Sequence, residues 1–281
     1  MPELPEVETV RRGLEQSTIG RTMSRVEVLR ERAIAGGADG IGFARALAGG
    51  RIEGWQRRGK YLLAEVSRDG AADGIWGVHL RMTGQFLWLA HPQPPCGHTR
   101  VRIWCDGGEE LRFVDTRSFG QMWWVPTGTP LESVITGLAR LGPEPFSAQF
   151  SPTYLRQKLQ ASLRPIKSAL LDQRLVAGVG NIYADESLFQ AGISPHTPCR
   201  QLGINRLERL HRALVSVLHE SIGVGGTTFR DFRDLTGTNG QYGGVALVYR
   251  RGGQPCRHCG GTIQREKLGG RSSHWCPRCQ S

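Results

Sequence analysis

Four cysteines near the C-terminus fall in two C-x2-C pairs, Cys256/Cys259 and Cys276/Cys279, with sixteen residues between the pairs. No other feature restricts the fold as tightly. In a cytosolic chain this spacing reads as a metal site and not as disulfides. Four thiolates complete a tetrahedral shell around Zn2+ with no open position, which predicts one structural zinc and no catalytic metal. So short a segment lacks a core of its own, and the metal takes the core's place. His258 and His274 lie nearby, but a four-sulfur shell does not need them. Cys96, Cys105 and Cys199 are scattered and read as ordinary small residues.

Charge points to the partner. Lys and Arg outnumber Asp and Glu by 36 to 25, a net charge of +11. Such a balance favours a polyanion, nucleic acid first, although a merely basic protein has the same composition. The last stretch concentrates it: Arg250, Arg251, Arg257, Arg265, Lys267, Arg271 and Arg278 are opposed only by Glu266. No run approaches the ~18 apolar residues of a membrane span. Met1-Pro2-Glu3 lacks the basic start and apolar run of a secretory signal, so the expected compartment is the cytoplasm.

Along the chain, residues 3–15 read as a helix with Leu4, Val7, Val10 and Leu14 on one face. Residues 20–125 alternate in short runs split by Gly and Pro, a strand pattern that predicts a sandwich or barrel, with Gly107-Gly108 as a hairpin turn. Ser151-Pro152 is an N-cap followed by proline at the first helical position. Further helices are predicted at 181–191 and about 205–222, and the Gly-, Thr- and Asn-rich stretch 223–244 reads as a mobile loop. The expected organisation is an α+β multidomain chain: a β-sandwich with an N-terminal helix (1–132), a helical DNA-binding middle (133–245) and a zinc finger (246–281).

Six collinear stretches cover the whole chain: Pro2-Glu3-Leu4-Pro5-Glu6-Val7-Glu8-Thr9, Arg58-Gly59-Lys60-Tyr61-Leu62, His79-Leu80-Arg81-Met82-Thr83-Gly84, Asp115-Thr116-Arg117-Ser118-Phe119-Gly120, Gly178-Val179-Gly180-Asn181-Ile182-Tyr183-Ala184, and the cysteine module. Together they resemble the bacterial formamidopyrimidine-DNA glycosylases, also called 8-oxoguanine-DNA glycosylases. The resemblance implies a helix–two-turn–helix in the middle domain and damaged double-stranded DNA as the partner. It implies base excision repair of oxidised purines by a bifunctional glycosylase and abasic-site lyase. A monomer is expected, in the cytoplasm and associated with the nucleoid.

Chemistry makes sense of the first residue of the motif. Once Met1 is removed, Pro2 presents a secondary amine. An α-amino group has a pKa near 7.7–8.0 against ≈ 10.4 for lysine, so about a fifth of it is unprotonated near neutral pH. It can attack the sugar C1′ and form an iminium. Alone, Pro2 reads more readily as a simple helix start. Glu3 beside it has the chemistry of a general acid and base, and would otherwise be an acidic residue at a helix N-terminus. Glu6, three residues on, would help orient the site.

The resemblance gives Lys60 and Arg271 catalytic roles at the phosphates flanking the lesion. It makes Met82, Arg117 and Phe119 the wedge that fills the gap left by a flipped base, although a Met and a Phe are more often core residues. The resemblance also makes Asn181, at a glycine-preceded helix start, a hydrogen-bond donor to phosphate, with His98, Arg164 and Lys167 as further candidate DNA contacts. Thr227, Thr228 and Tyr242 are candidates for the lesion-side loop. By the pattern of the family it resembles, the chain departs from many members at Ala161-Ser162-Leu163, where lysines are expected and where Arg164 would compensate, and at Arg81, where Gly is expected. Two other readings share parts of this pattern. One is an endonuclease-VIII-like enzyme for oxidised pyrimidines, disfavoured by Leu4 and the wedge set. The other is a non-catalytic zinc-finger DNA binder, disfavoured by Pro2, Glu3 and Lys60 together.

Overall fold

The computed structural model describes residues 1–227 and 240–281; Thr228 lies outside them. The chain divides into two compact units, residues 1–139 with 225–241, and residues 140–224 with 242–281. The helical middle and the finger thus share one unit. Among the described residues no helix is long and apolar enough to cross a membrane.

The first unit opens with α1 (Leu4–Thr18), whose Leu4, Val7, Val10 and Leu14 are buried as the periodicity requires. Pro5 sits in its first turn, where a missing N–H costs nothing. The Glu6 carboxylate reaches back and accepts the Glu3 backbone N–H at 2.7 Å, closing a capping box. At the other end the Thr18 hydroxyl donates to the Leu14 carbonyl and accepts from the Trp55 indole N–H at 2.8 Å.

Eight strands follow, with one helix among them: β1 (Met23–Val28), α2 (Gly40–Leu47), β2 (Arg51–Arg58), β3 (Tyr61–Arg68), β4 (Ala71–His79), β5 (Gly84–Leu89), β6 (Thr99–Cys105), β7 (Glu110–Asp115) and β8 (Gln121–Pro126). They form two antiparallel sheets, β1-β6-β7-β5 and β2-β3-β4-β8. Ile52, Leu62, Trp76 and Val78 of one sheet share a core with Phe86, Val101, Ile103 and Phe113 of the other, and α1 adds Val7, Val10 and Leu14. This is the expected sandwich. Gly107-Gly108 does turn β6 into β7, with Gly108 at φ +89°. Trp55 and Trp76 meet edge to face in the core at 5.3 Å, with Trp88 and Trp124 packed against it. Six of the seven tryptophans belong to this unit, and only Trp275 to the other. A short helix, α3 (Leu131–Val134), follows the last strand.

The second unit contains α4 (Pro152–Leu159), α5 (Ile166–Leu170), α6 (Asn181–Gln190), α7 (Ile204–Gly223), α8 (Tyr242–Val245) and the hairpin β9 (Gln264–Leu268) and β10 (Arg271–Trp275). Ser151 caps α4 by accepting the Tyr154 N–H at 3.2 Å. The stripe Leu207, Leu210, Leu214, Val217 and Leu218 is buried on α7, which packs on α6.

Candidate active site and nucleic-acid interface

The ionisable side chains almost fully enclosed in the sandwich unit include Glu3 (3% exposed), Glu6 (1%), Lys60 (6%) and His79 (8%). Burying such groups is costly, and their falling in the motifs around Pro2, Lys60 and His79 marks a candidate site. Pro2 is buried beside them. Besides capping Glu3, Glu6 accepts the Thr227 N–H at 2.8 Å. Gly226 makes that approach possible. It holds φ +78°, and a Cβ there would stand 3.0 Å from the Glu6 carboxylate.

Lys60 lies in the two-residue turn between β2 and β3, after Gly59 at φ +57°. Arg57 ties this turn to α1, donating to the Glu8 carboxylate at 3.1 Å and to the Gly59 carbonyl at 3.1 Å. Burial alone would raise the Glu8 carboxyl, but Arg11, Arg12 and Arg57 outweigh it and hold it below the ordinary range. The helix that begins at Pro2-Glu3 and the turn that carries Lys60 are thus braced to each other. His79 ends β4, stacked edge-on against Tyr61 at 4.6 Å. Its Nδ1 accepts the Arg81 backbone N–H at 3.0 Å, which leaves Nε2 as the donor. Burial, with the charges of Arg81 and Lys60, pushes its pKa down to about 3.

Met82 and Phe119 project from two turns, 38% and 39% exposed. Arg117 lies over the Phe119 ring at 4.7 Å, and Arg32 approaches the same ring at 5.5 Å. Arg81 takes φ +55°, a backbone conformation that glycine adopts freely and other residues rarely do. His98 is exposed in the loop before β6.

In the second unit the Gly178–Gly180 turn is held from within. Gln173 accepts the Gly178 N–H at 2.9 Å and donates to the Val179 carbonyl at 2.7 Å. This presents Asn181 as the first residue of α6. Asn181 Nδ2 donates to the Ser272 carbonyl at 2.9 Å, and Lys167 Nζ donates to the same oxygen at 2.7 Å. The Lys167 side chain is 1% exposed and pairs with Asp185 at 2.6 Å. Asp185 also accepts the His274 backbone N–H at 2.9 Å. Helix α6 and Lys167 of α5 therefore clamp β10 just beyond Arg271, which is itself exposed at the turn Gly269-Gly270. Arg164 pairs with Asp172 at 2.9 Å, and Arg174 and Arg164 hold that carboxyl well below its usual range despite burial.

The cysteines converge as the spacing requires: their four sulfurs lie within 4.8 Å of one another. Cys256–Cys279 is 3.9 Å and Cys259–Cys276 is 3.5 Å. A tetrahedron with Zn–S bonds of ≈ 2.3 Å has edges of about 3.8 Å, so the shell fits one structural zinc. His258 makes a 3.5 Å contact to the Cys279 sulfur from outside the shell.

Comparison with known proteins assigns all three parts. Residues 1–122 match the formamidopyrimidine-DNA glycosylase N-terminal domain, 141–233 its H2TH domain, and 253–281 the zinc finger found in FPG and IleRS. A formamidopyrimidine-DNA glycosylase of Parasynechococcus marenigrum is 63% identical over 280 residues, covering 100% of both chains. The chain belongs to the formamidopyrimidine-DNA glycosylase family. Among solved structures, a mutant Lactococcus lactis FPG bound to Fapy-dG DNA superposes with a TM-score of 0.90 at 35% identity over 100% of each chain. A MutM bound to DNA with carbocyclic 8-oxo-G gives a TM-score of 0.89 at 35% identity, again over 100% of each.

Within this family framework some site residues stand out only in three dimensions. His79 is buried near Lys60 and Arg81, and Asp115 is buried between the turns that carry Met82 and Phe119. Nothing in the sequence announces Asp185 or Glu186. The latter accepts the N–H groups of Leu247, Val248 and Tyr249 at 2.7, 2.9 and 2.7 Å, anchoring the approach to the finger. Tyr242 is buried against Tyr183 at 5.6 Å.

Proposed function

We propose that this member of the family removes oxidised purines from duplex DNA, 8-oxoguanine and formamidopyrimidines, and then cleaves the strand as an abasic-site lyase. The observation that carries the reading is the enclosed Pro2-Glu3 pair at the start of α1, braced to the Lys60 turn. After loss of Met1, the Pro2 nitrogen bonds to C1′ as the C1′–base bond breaks and the base leaves with a proton. Glu3 protonates the ring oxygen as the sugar opens to the iminium. The iminium acidifies C2′, and loss of that proton expels the 3′ phosphate. A second elimination expels the 5′ phosphate, and water hydrolyses the remaining iminium, freeing Pro2 and the sugar fragment and leaving a one-nucleoside gap. Lys60 and Arg271 hold the flanking phosphates and offset the charge of each leaving group.

Asn181, His98, Arg164 and Lys167 support the backbone, Lys167 through the Ser272 carbonyl that it shares with Asn181. Met82, Arg117 and Phe119 fill the emptied position, their exposure suiting insertion. One chain carries every group required, so the working form is a monomer, in the cytoplasm at the nucleoid. Borohydride trapping on 8-oxoguanine duplex is the test. A covalent complex is expected, weakened or moved to another amine by Pro2→Gly, while Glu3→Gln abolishes base removal. Normal excision by Glu3→Gln, or retained Met1 in the intact mass of active enzyme, would overturn the mechanism. Faster cleavage of thymine glycol than of 8-oxoguanine would move the chain to the pyrimidine class.

A further inference from the structure

The two turns that carry the wedge residues are joined by one buried carboxylate. The first runs from Leu80 to Gly84 and holds Met82; the second runs from Asp115 to Gln121 and holds Arg117 and Phe119. Asp115 is fully buried. Its Oδ1 accepts from the Thr83 hydroxyl, across 32 residues of sequence, and from the Arg117 N–H at 3.1 Å. Its Oδ2 accepts the Gly120 N–H at 2.7 Å. The Thr83 hydroxyl oxygen in turn receives the Arg117 N–H at 3.2 Å. A second cross-link runs from the Arg81 guanidinium to Gln121 Oε1 at 2.7 Å. Beneath both turns lies Phe113: a Cβ on Gly84 would stand 2.8 Å from its ring and one on Gly120 2.5 Å. Arg81 and Ser118, at φ +55° and +53°, hold left-handed conformations next to the wedge side chains.

We propose that Asp115, with Thr83, is a positioning residue that fuses the two turns into one preformed wedge. Met82, Arg117 and Phe119 then enter the base stack as a unit. This rests on the reading of those three residues as the gap fillers. Opening the stack is already costly. Ordering two separate loops at the same moment would add their conformational entropy to that barrier. Strained φ values persist only where surrounding contacts over-determine them, and the Asp115 and Gln121 links supply those contacts. The cross-link therefore acts on flipping, and not on the chemistry at Pro2.

The experiment compares single-turnover excision of 8-oxoguanine opposite cytosine in a duplex with the same lesion in a short unpaired bubble, where little stacking is broken. Melting temperature is recorded alongside. Asp115→Asn should lose roughly tenfold on the duplex, the scale of one hydrogen bond to an ionised group. On the bubble it should stay within about twofold of the unaltered enzyme. Thr83→Val should lose about threefold on the duplex only, and Thr83→Ser should recover it. Should Asp115→Asn fail to fold, the Thr83 pair carries the test. Met82→Ala and Phe119→Ala monitor the wedge reading. If they leave the duplex-to-bubble ratio unchanged, that reading fails and the lock with it. If they lower the ratio while Asp115→Asn and Thr83→Val do not, the lock alone is overturned. Equal losses on both substrates for Thr83→Val would mean a folding role only, and would also overturn it.

Discussion

His79 illustrates how far a single side chain can be moved by its surroundings. It is enclosed beside Lys60 and Arg81, and its pKa is pushed down to about 3 from 6.5. The folded protein therefore binds fewer protons at this site than the unfolded chain does below pH 6.5. Its contribution to stability is complete above that value and is lost progressively as pH falls toward about 3. Urea unfolding between pH about 7 and about 5 should show His79→Gln losing less stability on acidification than the unaltered protein. An identical loss in both would show that His79 is not held neutral by folding. The sequence placed His79 in a motif, but its protonation state follows from the Tyr61 ring, the Arg81 N–H and the Lys60 turn, which meet only after folding. Lys167 makes the same point. Its Nζ is spent on Asp185 and on Ser272, 105 residues away, partners that no spacing reveals. Arg81 is the converse case: the family resemblance leads one to expect glycine there, and the backbone takes the left-handed φ of +55° that glycine adopts freely.

At the scale of elements, legibility followed the range of the interactions. α1 and α4 were readable because a cap and apolar residues lie within one segment, as with Ser151, and α7 because its leucines form one stripe. The strands were visible as alternating runs, but their order β1-β6-β7-β5 and β2-β3-β4-β8 was not, since pairing joins segments far apart. The cysteine module was the most legible element, its ligands being fixed by tetrahedral geometry. The hairpin and its working side chain should separate on mutation. Cys256→Ser should release zinc, unfold the module and collapse DNA affinity, since the binding energy of a structural metal is folding energy. Arg271→Ala should keep its zinc, bind damaged DNA more weakly and process it more slowly, while any complex formed stays trappable through Pro2. Zinc content and trapping yield measured on both variants check this. Zinc loss from Arg271→Ala, or normal cleavage by Cys256→Ser, would contradict the assignment of the finger as phosphate clamp.

The whole molecule divides its labour between a sandwich unit that carries Pro2, Glu3 and Lys60 and a unit that carries Asn181, Arg271 and the metal site. Each has its own apolar core, so the chain need not unfold in a single step. Chelation should remove zinc from the second unit while the sandwich keeps its melting transition. Zinc release and tryptophan emission, followed in one titration, measure the two events; a drop in the emission midpoint that tracked zinc loss would contradict the independence of the units. The distribution of indoles sharpens this. Trp55 and Trp76 lie deep in the sandwich, and only Trp275 belongs to the unit that holds the metal. At the bench, a batch that had lost its metal during purification would pass as native by intrinsic fluorescence while failing to grip its substrate. The fraction of competent molecules therefore has to be counted by metal assay and not by optical appearance.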